Sequence, residues 1–309
     1  MDMFEAKGIK PMLIAEMQEP FDDERYIYEL KLDGIRCLAY LDEASTDLRN
    51  KRNKQLLPHV PELGSIHRQV KSKCILDGEL LILKDGKTDF FEIQRRVLLT
   101  DPFKIHLASK KFPACFVAYD IIYKGSEMVN EIPLLERKKL LAEIVEETPE
   151  LSISRFIPAN GIELFQAAKS QGLEGVVAKR ADSRYWLGKR TKDWIKFKVM
   201  KTADCVICGY IPKENSMTSL IIGQYSGHEL IYRGHVTMGV SLSKILEHHP
   251  EIRAVPPFKE IPPGNEDATW FGPELVGIVE YMPSDKPGYR QPVFKGIRDD
   301  KLPMECQII

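Results

Sequence analysis

Four strand-like segments of this chain carry lysines and carboxylates on one face and apolar residues on the other. In YELKLDGIR (28–36), alternation sets Tyr28, Leu30 and Leu32 against Glu29, Lys31 and Asp33. In CILDGELLIL (74–83), Asp77 and Glu79 share a face with Gly78 between them. LEGVVAKR (173–180) opens on Glu174 backed by Gly175, and DWIKFKV (193–199) sets Trp194, Lys196 and Lys198 against Ile195, Phe197 and Val199. Singly, each reads as an antiparallel strand with one wet face. Together, Lys31, Lys196, Lys198 and the carboxylates are the ingredients for holding a polyphosphate and a divalent cation. Gly34, closing the charged face of the first segment, allows close approach of backbone or ligand.

Strand-like runs at 26–32, 35–41, 74–83, 115–123, 174–180 and 194–199 alternate irregularly with helical ones. The clearest helix is IPLLERKKLLAEIVEE, with Pro133 suited to its first turn. Near residue 200 the texture changes to short, closely spaced strands (CVICGYI, SLIIGQY, HELIYRGHV, LVGIVEYM) broken by LSKILEHH and Pro-rich loops. That pattern predicts a small β-barrel or sandwich, with a boundary between Lys201 and Asp204.

With 309 residues, 43% of them hydrophobic, the chain can bury two cores. No apolar run approaches the length of a membrane span and MDMFEAKGIK lacks a signal-peptide layout, so a cytoplasmic protein is expected. The six cysteines read as reduced core thiols, and Cys205-x-x-Cys208 lacks the second pair a zinc site needs. His248 and His249 read as a solvated helix end. A net charge of −1 argues against a uniformly basic nucleic-acid binder, yet nine Lys or Arg fall between Lys179 and Lys201 against Asp182 and Asp193, and RNKRNK occupies 49–54. LILKDGKT is not a P-loop, because Leu81 stands where the first glycine is required, and there is no G-x-G-x-x-G.

ELKLDGIR, RNKRN, LDGEL, FVAYDIIY, EGVVAKR, WIKFK and, near the C-terminus, IRDDK follow the order of the nucleotidyltransferase motifs of ATP-dependent DNA ligases. The likeness spans essentially the whole chain and most resembles the ligase domain of bacterial end-joining ligase D proteins. It implies an α+β nucleotidyltransferase domain of ATP-grasp-like antiparallel sheets with helices over 1–200, followed by an all-β OB-fold domain over 201–309. By the same resemblance Lys31 attacks the α-phosphate of ATP and carries AMP, which passes to a DNA 5′-phosphate before a 3′-hydroxyl displaces it. Mg2+ or Mn2+ is the expected metal, held by Glu79 and Glu174, with Glu79 also suited to the ribose. Glu29 accepts from the adenine amino group, Leu30 lines the nucleotide site, Tyr119 stacks on the base, and Arg36, Arg52 and Arg190 contact nucleotide or phosphate. Arg49 competes with Arg52 for its place, since LRNKRN contains Arg-Asn twice. Lys196 and Lys198 disfavour the ammonium form of Lys31 and stabilise charge at the phosphorus under attack. Arg298, Asp300 and Lys301 match the motif that orients the leaving pyrophosphate from a mobile OB domain. Asp33 and Gly34 support the lysine motif, the role of Asp33 being undecided among metal, 3′-hydroxyl and strand geometry.

The expected partner is nicked or broken duplex DNA, met by a monomer in repair, recombination or replication; recruitment by a Ku-like protein is left open. Rival readings are an RNA or hybrid ligase, a GTP-using capping enzyme, and a non-catalytic OB-fold nucleic-acid binder, the last opposed by the complete motif set.

Overall fold

A computed structural model of the chain describes residues 2–214, 217–283 and 288–308, which fall into two compact units, Met1–Lys198 and Val199–Ile309. The strands of the first are β1 (Leu13–Met17), β2 (Asp23–Leu30), β3 (Ile35–Leu41), β4 (Thr46–Asn50), β5 (Cys74–Lys84), β6 (Lys87–Thr88), β7 (Ala114–Lys124), β8 (Glu127–Met128), β9 (Leu151–Ile153), β10 (Phe156–Ala159), β11 (Gly175–Arg180) and β12 (Arg190–Lys198). Its helices are α1 (Met3–Ala6), α2 (Phe90–Leu98), α3 (Pro102–Lys111), α4 (Leu134–Ile144) and α5 (Gly161–Ser170).

One sheet runs β1-β12-β11-β2-β10, the other β4-β3-β5-β7-β8 with β6 added to β5 and β9 to β7. Pairing is antiparallel except for β1 with β12 and β7 with β9. Leu38, Tyr40, Ile75 and Ile122 of the second sheet pack against Val177 and Trp194 of the first, forming an inner layer. Tyr28, Val176, Ile195 and Phe197 cover the outer face of the first sheet beneath Ala168 and Leu164 of α5. Leu76, Leu80 and Phe116 do the same for the second sheet beneath α2 and α4. Each fully buried side chain of this size contributes about 1.5–3 kcal/mol.

This layering corrects the wet-face reading of YELKLDGIR. Tyr28 and Glu29, on opposite faces, are 0% and 2% exposed. The alternation also stops sooner than the sequence suggests: β2 ends at Leu30, and Leu32 lines the same cavity as Glu29 and Lys31 rather than facing away from them. Pro133 stands just outside α4, its extended ψ of 147° placing the first helical residue at Leu134. The buried stripe of that helix is Leu134, Arg137, Lys138, Leu141 and Ile144, two cations among apolar residues.

Gly34 is required by backbone proximity. A Cβ there would meet the Leu80 carbonyl oxygen at 2.2 Å and Glu79 Cγ at 2.9 Å. Gly34→Ala is therefore expected to cost about 3 kcal/mol, since neighbours this close must shift; a lowered urea midpoint with unchanged slope checks it.

The second unit contains β13 (Lys201–Pro212), β14 (Thr218–Ser226), β15 (Glu229–Val236), α6 (Leu242–Leu246), β16 (Ile252–Arg253), β17 (Thr269–Phe271), β18 (Val276–Met282) and β19 (Arg290–Arg298). β13 is the shared strand: Lys201–Val206 pair with β18, and Val206–Pro212 pair with β14. Its side chains alternate between two cores, Val206 and Cys208 joining Ile221 and Trp270, Cys205 and Ile207 joining Leu220 and Phe271. Cys205 and Cys208 thus serve different cores as buried free thiols. Among the described residues no helix is long and apolar enough to cross a membrane.

Candidate active site

Between the two sheets of the first unit lies a cavity of about 220 Å³, lined by Ile14, Glu29, Leu30, Lys31, Leu32, Arg36, Glu79, Tyr119, Val177, Lys179 and Trp194. Its lysine is placed by backbone. The Lys31 N–H donates to the Gly175 carbonyl at 2.9 Å. Gly175 has φ +143°, and a Cβ there would lie 1.9 Å from the Phe197 carbonyl oxygen, so only glycine lets β2, β11 and β12 converge at this point. Lys31 Nζ then reaches Glu174 Oε2 at 2.7 Å, with Lys198 Nζ 3.9 Å from Glu174 Oε1. Lys196 shares the face of Trp194; burial, Lys31 and Arg190 push its ammonium pKa down.

The opposite wall comes from β3, β5 and β7. Burial raises the Glu79 carboxyl to about 8, against the opposing influence of Lys31 and Arg36. Arg36 makes a fork to Asp77, Nε–Oδ1 3.0 Å and Nη2–Oδ2 2.5 Å, and Tyr185 donates to the same carboxylate at 2.6 Å. Its guanidinium also lies 5.6 Å from the Tyr119 ring and 5.8 Å from that of Trp194. Lys179 Nζ lies 4.4 and 4.3 Å from those rings and 3.0 Å from Glu29 Oε1, where Lys138 Nζ of α4 also arrives at 2.5 Å. Burial opposes the charge of Glu29, but the two lysines outweigh it and hold the carboxyl below its usual range.

The structure brings together Lys31, Glu29, Leu30, Arg36, Glu79, Tyr119, Glu174 and Lys198. Asp33 is half-buried in the loop between β2 and β3. Arg190 is exposed outside the cavity lining, donating to the Ile14 carbonyl at 2.6 Å. Neither Arg49 nor Arg52 lines the cavity: Arg49 is paired with Asp47 at 3.0 Å, and Arg52 is exposed in the turn after β4. Sequence reasoning did not assign Lys138, Lys179, Ile14, Val177 or Trp194. Lys138 was signalled by its place on the buried stripe of α4. Lys179, counted within the basic stretch, is buried.

In the second unit, Arg298 Nη1 and Lys301 Nζ meet Asp204 Oδ2 at 3.0 and 2.6 Å, and Arg298 Nη2 meets Asp300 at 2.7 Å. Burial would raise the Asp204 carboxyl, but Lys301 and Arg298 hold it below its ordinary 3.8. Below that pH the unfolded chain binds the proton first, so this stabilisation is present above 3.8 and lost as pH falls through the lower folded value. Asp204→Asn is expected to flatten the acid limb of the second unit's stability curve, as measured by denaturant midpoints across that range.

Two sheets enclosing a lysine-centred polar cavity, followed by a unit of OB-fold type, define a nucleotidyltransferase domain joined to an OB domain. The profile of the ATP dependent DNA ligase domain matches residues 7–198, and that of the ATP dependent DNA ligase C terminal region matches 213–301. The chain belongs to the ATP-dependent DNA ligases. It is 31% identical over 206 residues to the SPbeta prophage-derived DNA ligase-like protein LigB of Bacillus subtilis, covering 67% of this chain and 73% of that one. It is 31% identical over 313 residues to the multifunctional non-homologous end joining protein LigD of Pseudomonas aeruginosa, covering 95% of this chain but only 36% of that protein. The solved structure of mycobacterial DNA ligase D complexed with ATP and MES superposes with a TM-score of 0.58 at 26% identity, over 97% of this chain and 98% of that one.

Proposed function

We propose that the cavity binds ATP and that Lys31 is the residue that carries AMP. The observation that supports this is the meeting of Lys31, Glu174 and Lys198 at one end of a cavity whose walls hold Glu79, Glu29 and two aromatic rings. The lone pair of Lys31 Nζ forms a bond to the α-phosphorus while the bond to the bridging oxygen breaks and pyrophosphate leaves. The amine must shed a proton to attack, and Glu174 Oε2 at 2.7 Å is the acceptor at hand. Lys196 and Lys198 face the charge that develops on the phosphoryl oxygens. Glu29 reads the adenine amino group, Leu30 lines the nucleotide site, and Tyr119 offers its ring to the base. Arg36, committed to Asp77, braces the pocket and reaches the nucleotide only at the edge of that fork. Arg52, with Arg49 as its rival, and Arg190 are assigned to phosphate by the motifs they occupy, and both would have to reach it from outside the cavity lining. Arg298, Asp300 and Lys301 serve the leaving pyrophosphate, Arg298 and Lys301 exchanging part of their hold on Asp204 for it.

Glu174, and Glu79 once a cation offsets the burial that raises its carboxyl, would hold a hard divalent cation such as Mg2+ or Mn2+. Among the described residues no cluster of three or more His, Cys, Asp or Glu occurs that could hold a metal. When bound, the cation would supply charge neutralisation on the phosphates.

AMP then passes to the 5′-phosphate of nicked or broken duplex DNA and is displaced by the 3′-hydroxyl. We extend the end-joining role named for the LigD relatives to this chain, acting as a cytoplasmic monomer that a Ku-like partner can recruit to ends. The experiment is incubation with magnesium and labelled ATP or GTP, followed by nicked DNA, hybrid or RNA. A covalent adduct from ATP that is discharged onto DNA supports the reading; no adduct overturns it. Nick binding is expected to fall about a thousandfold between roughly 50 and 200 mM salt, the behaviour of some six phosphate contacts. Binding isotherms across that range check it, and a flat response contradicts phosphate-led binding.

A further inference from the structure

Glu29 is held in an unusual way for a residue facing a ligand cavity. Both of its lysines contact the same oxygen, Lys138 Nζ at 2.5 Å and Lys179 Nζ at 3.0 Å from Oε1. All three residues are 5% exposed or less, so the contacts are shielded from solvent. Lys179 is fixed in turn by the faces of Tyr119 and Trp194, and Lys138 by its place on the buried stripe of α4. Lys138 does not line the cavity. Two buried cations therefore face one carboxylate oxygen, with Ser154 a further hydrogen-bond partner of Glu29 and Asp120 a second anion acting on Lys179, so Glu29 is held from several sides.

We propose that Lys138 and Lys179 are positioning residues that clamp Glu29 by Oε1 and present Oε2 to the cavity as a fixed acceptor, making them determinants of choice between 6-amino and 6-oxo purine nucleotides. This rests on the reading of Glu29 as the residue that meets the adenine amino group. A carboxylate clamped in this way can only accept. A 6-amino group donates to it; a 6-oxo group sets oxygen against oxygen and leaves a buried acceptor unpaired. A carboxylate free to rotate away or to take up a proton tolerates either base. Discrimination thus depends on a lysine the nucleotide does not touch.

The test is the ratio of kcat/KM for covalent adduct formation from ATP and from inosine triphosphate, in wild type, Glu29→Gln, Lys138→Met and Lys138→Arg. Glu29→Gln, which can donate to a 6-oxo group, moves the ratio toward inosine triphosphate if Glu29 reads the base. Lys138→Met then lowers the ratio about tenfold, chiefly by raising KM for ATP, and Lys138→Arg restores most of it. A merely structural lysine, when removed, lowers both rates together and leaves the ratio unchanged. If Glu29→Gln shifts the ratio and Lys138→Met does not, the clamp is overturned. If Glu29→Gln leaves the ratio unchanged, the base reading beneath it fails. Should Lys138→Met not fold, Lys138→Gln, which keeps a donor but no charge, must show the same fall in ratio, and an unchanged ratio there overturns the clamp equally.

Discussion

Lys31→Ala is expected to yield no labelled adduct with ATP, a loss on the order of a millionfold that reads as zero in a gel assay. The loss is that of a nucleophile with no neighbouring substitute: Lys196 and Lys198 sit on another strand, and Lys198 is already beside Glu174. Lys31→Arg sharpens the result. Its guanidinium keeps a positive charge for Glu174 but stays protonated, so binding of ATP should survive while the covalent step does not. Retention of label under alkali and its release by acid would identify the P–N bond. An adduct that persists in Lys31→Ala places the chemistry elsewhere.

Arg137→Ala is expected to destabilise the first unit by about 3–5 kcal/mol, the largest effect on stability of any substitution considered. Arg137 and Asp120 are fully buried and joined by two hydrogen bonds, Nε–Oδ1 2.8 Å and Nη2–Oδ2 2.9 Å. Arg137 Nη1 also donates to the carbonyls of Ile132 and Ser183, at 2.6 and 2.9 Å. Alanine leaves a buried carboxylate and two carbonyls without these donors. Urea unfolding should show a lower midpoint, and the double replacement Arg137→Met with Asp120→Leu should recover much of the loss, because it removes the orphaned charge too. A loss below 1 kcal/mol in the single variant would mean that water reaches Asp120 on mutation.

The strands carrying the site were legible because their hydrophobic content is set locally. The segment 35–41 coincides with β3, and 74–83 and 115–123 lie within a residue of β5 and β7 at each end. The end of β2 was not legible: it depends on the Gly175 carbonyl capturing the Lys31 N–H, a partner remote in sequence. The same holds for Glu29. Its motif marks it as a site residue, but its two counter-ions arrive from α4 and β11, and no spacing rule relates them. α4 did carry a sign in its own periodicity, since Arg137 and Lys138 occupy positions where a helix of this kind buries apolar side chains. Charge at a core position predicts a buried partner without saying which. The basic stretch from Lys179 to Lys201 misled most. Arg180, Arg184 and Lys192 are paired with Asp182, Glu131 and Glu16, so composition overstated the free positive surface.

The parallel pairing of β1 with β12 sets when this site can come into being. Leu13 aligns with Arg190 and Met17 with Lys196, so the first strand waits for a partner that is synthesised last in its unit. A nascent chain that has emerged only as far as α5 already holds Lys31 and Glu79 but lacks Glu174, Lys196 and Lys198. It has no complete phosphate end to its pocket, and the edge of β2 that β11 will cover is bare. Nucleotide capture on the ribosome must therefore be a late event, and the unpaired edge is the interval's exposure to chaperones and to aggregation.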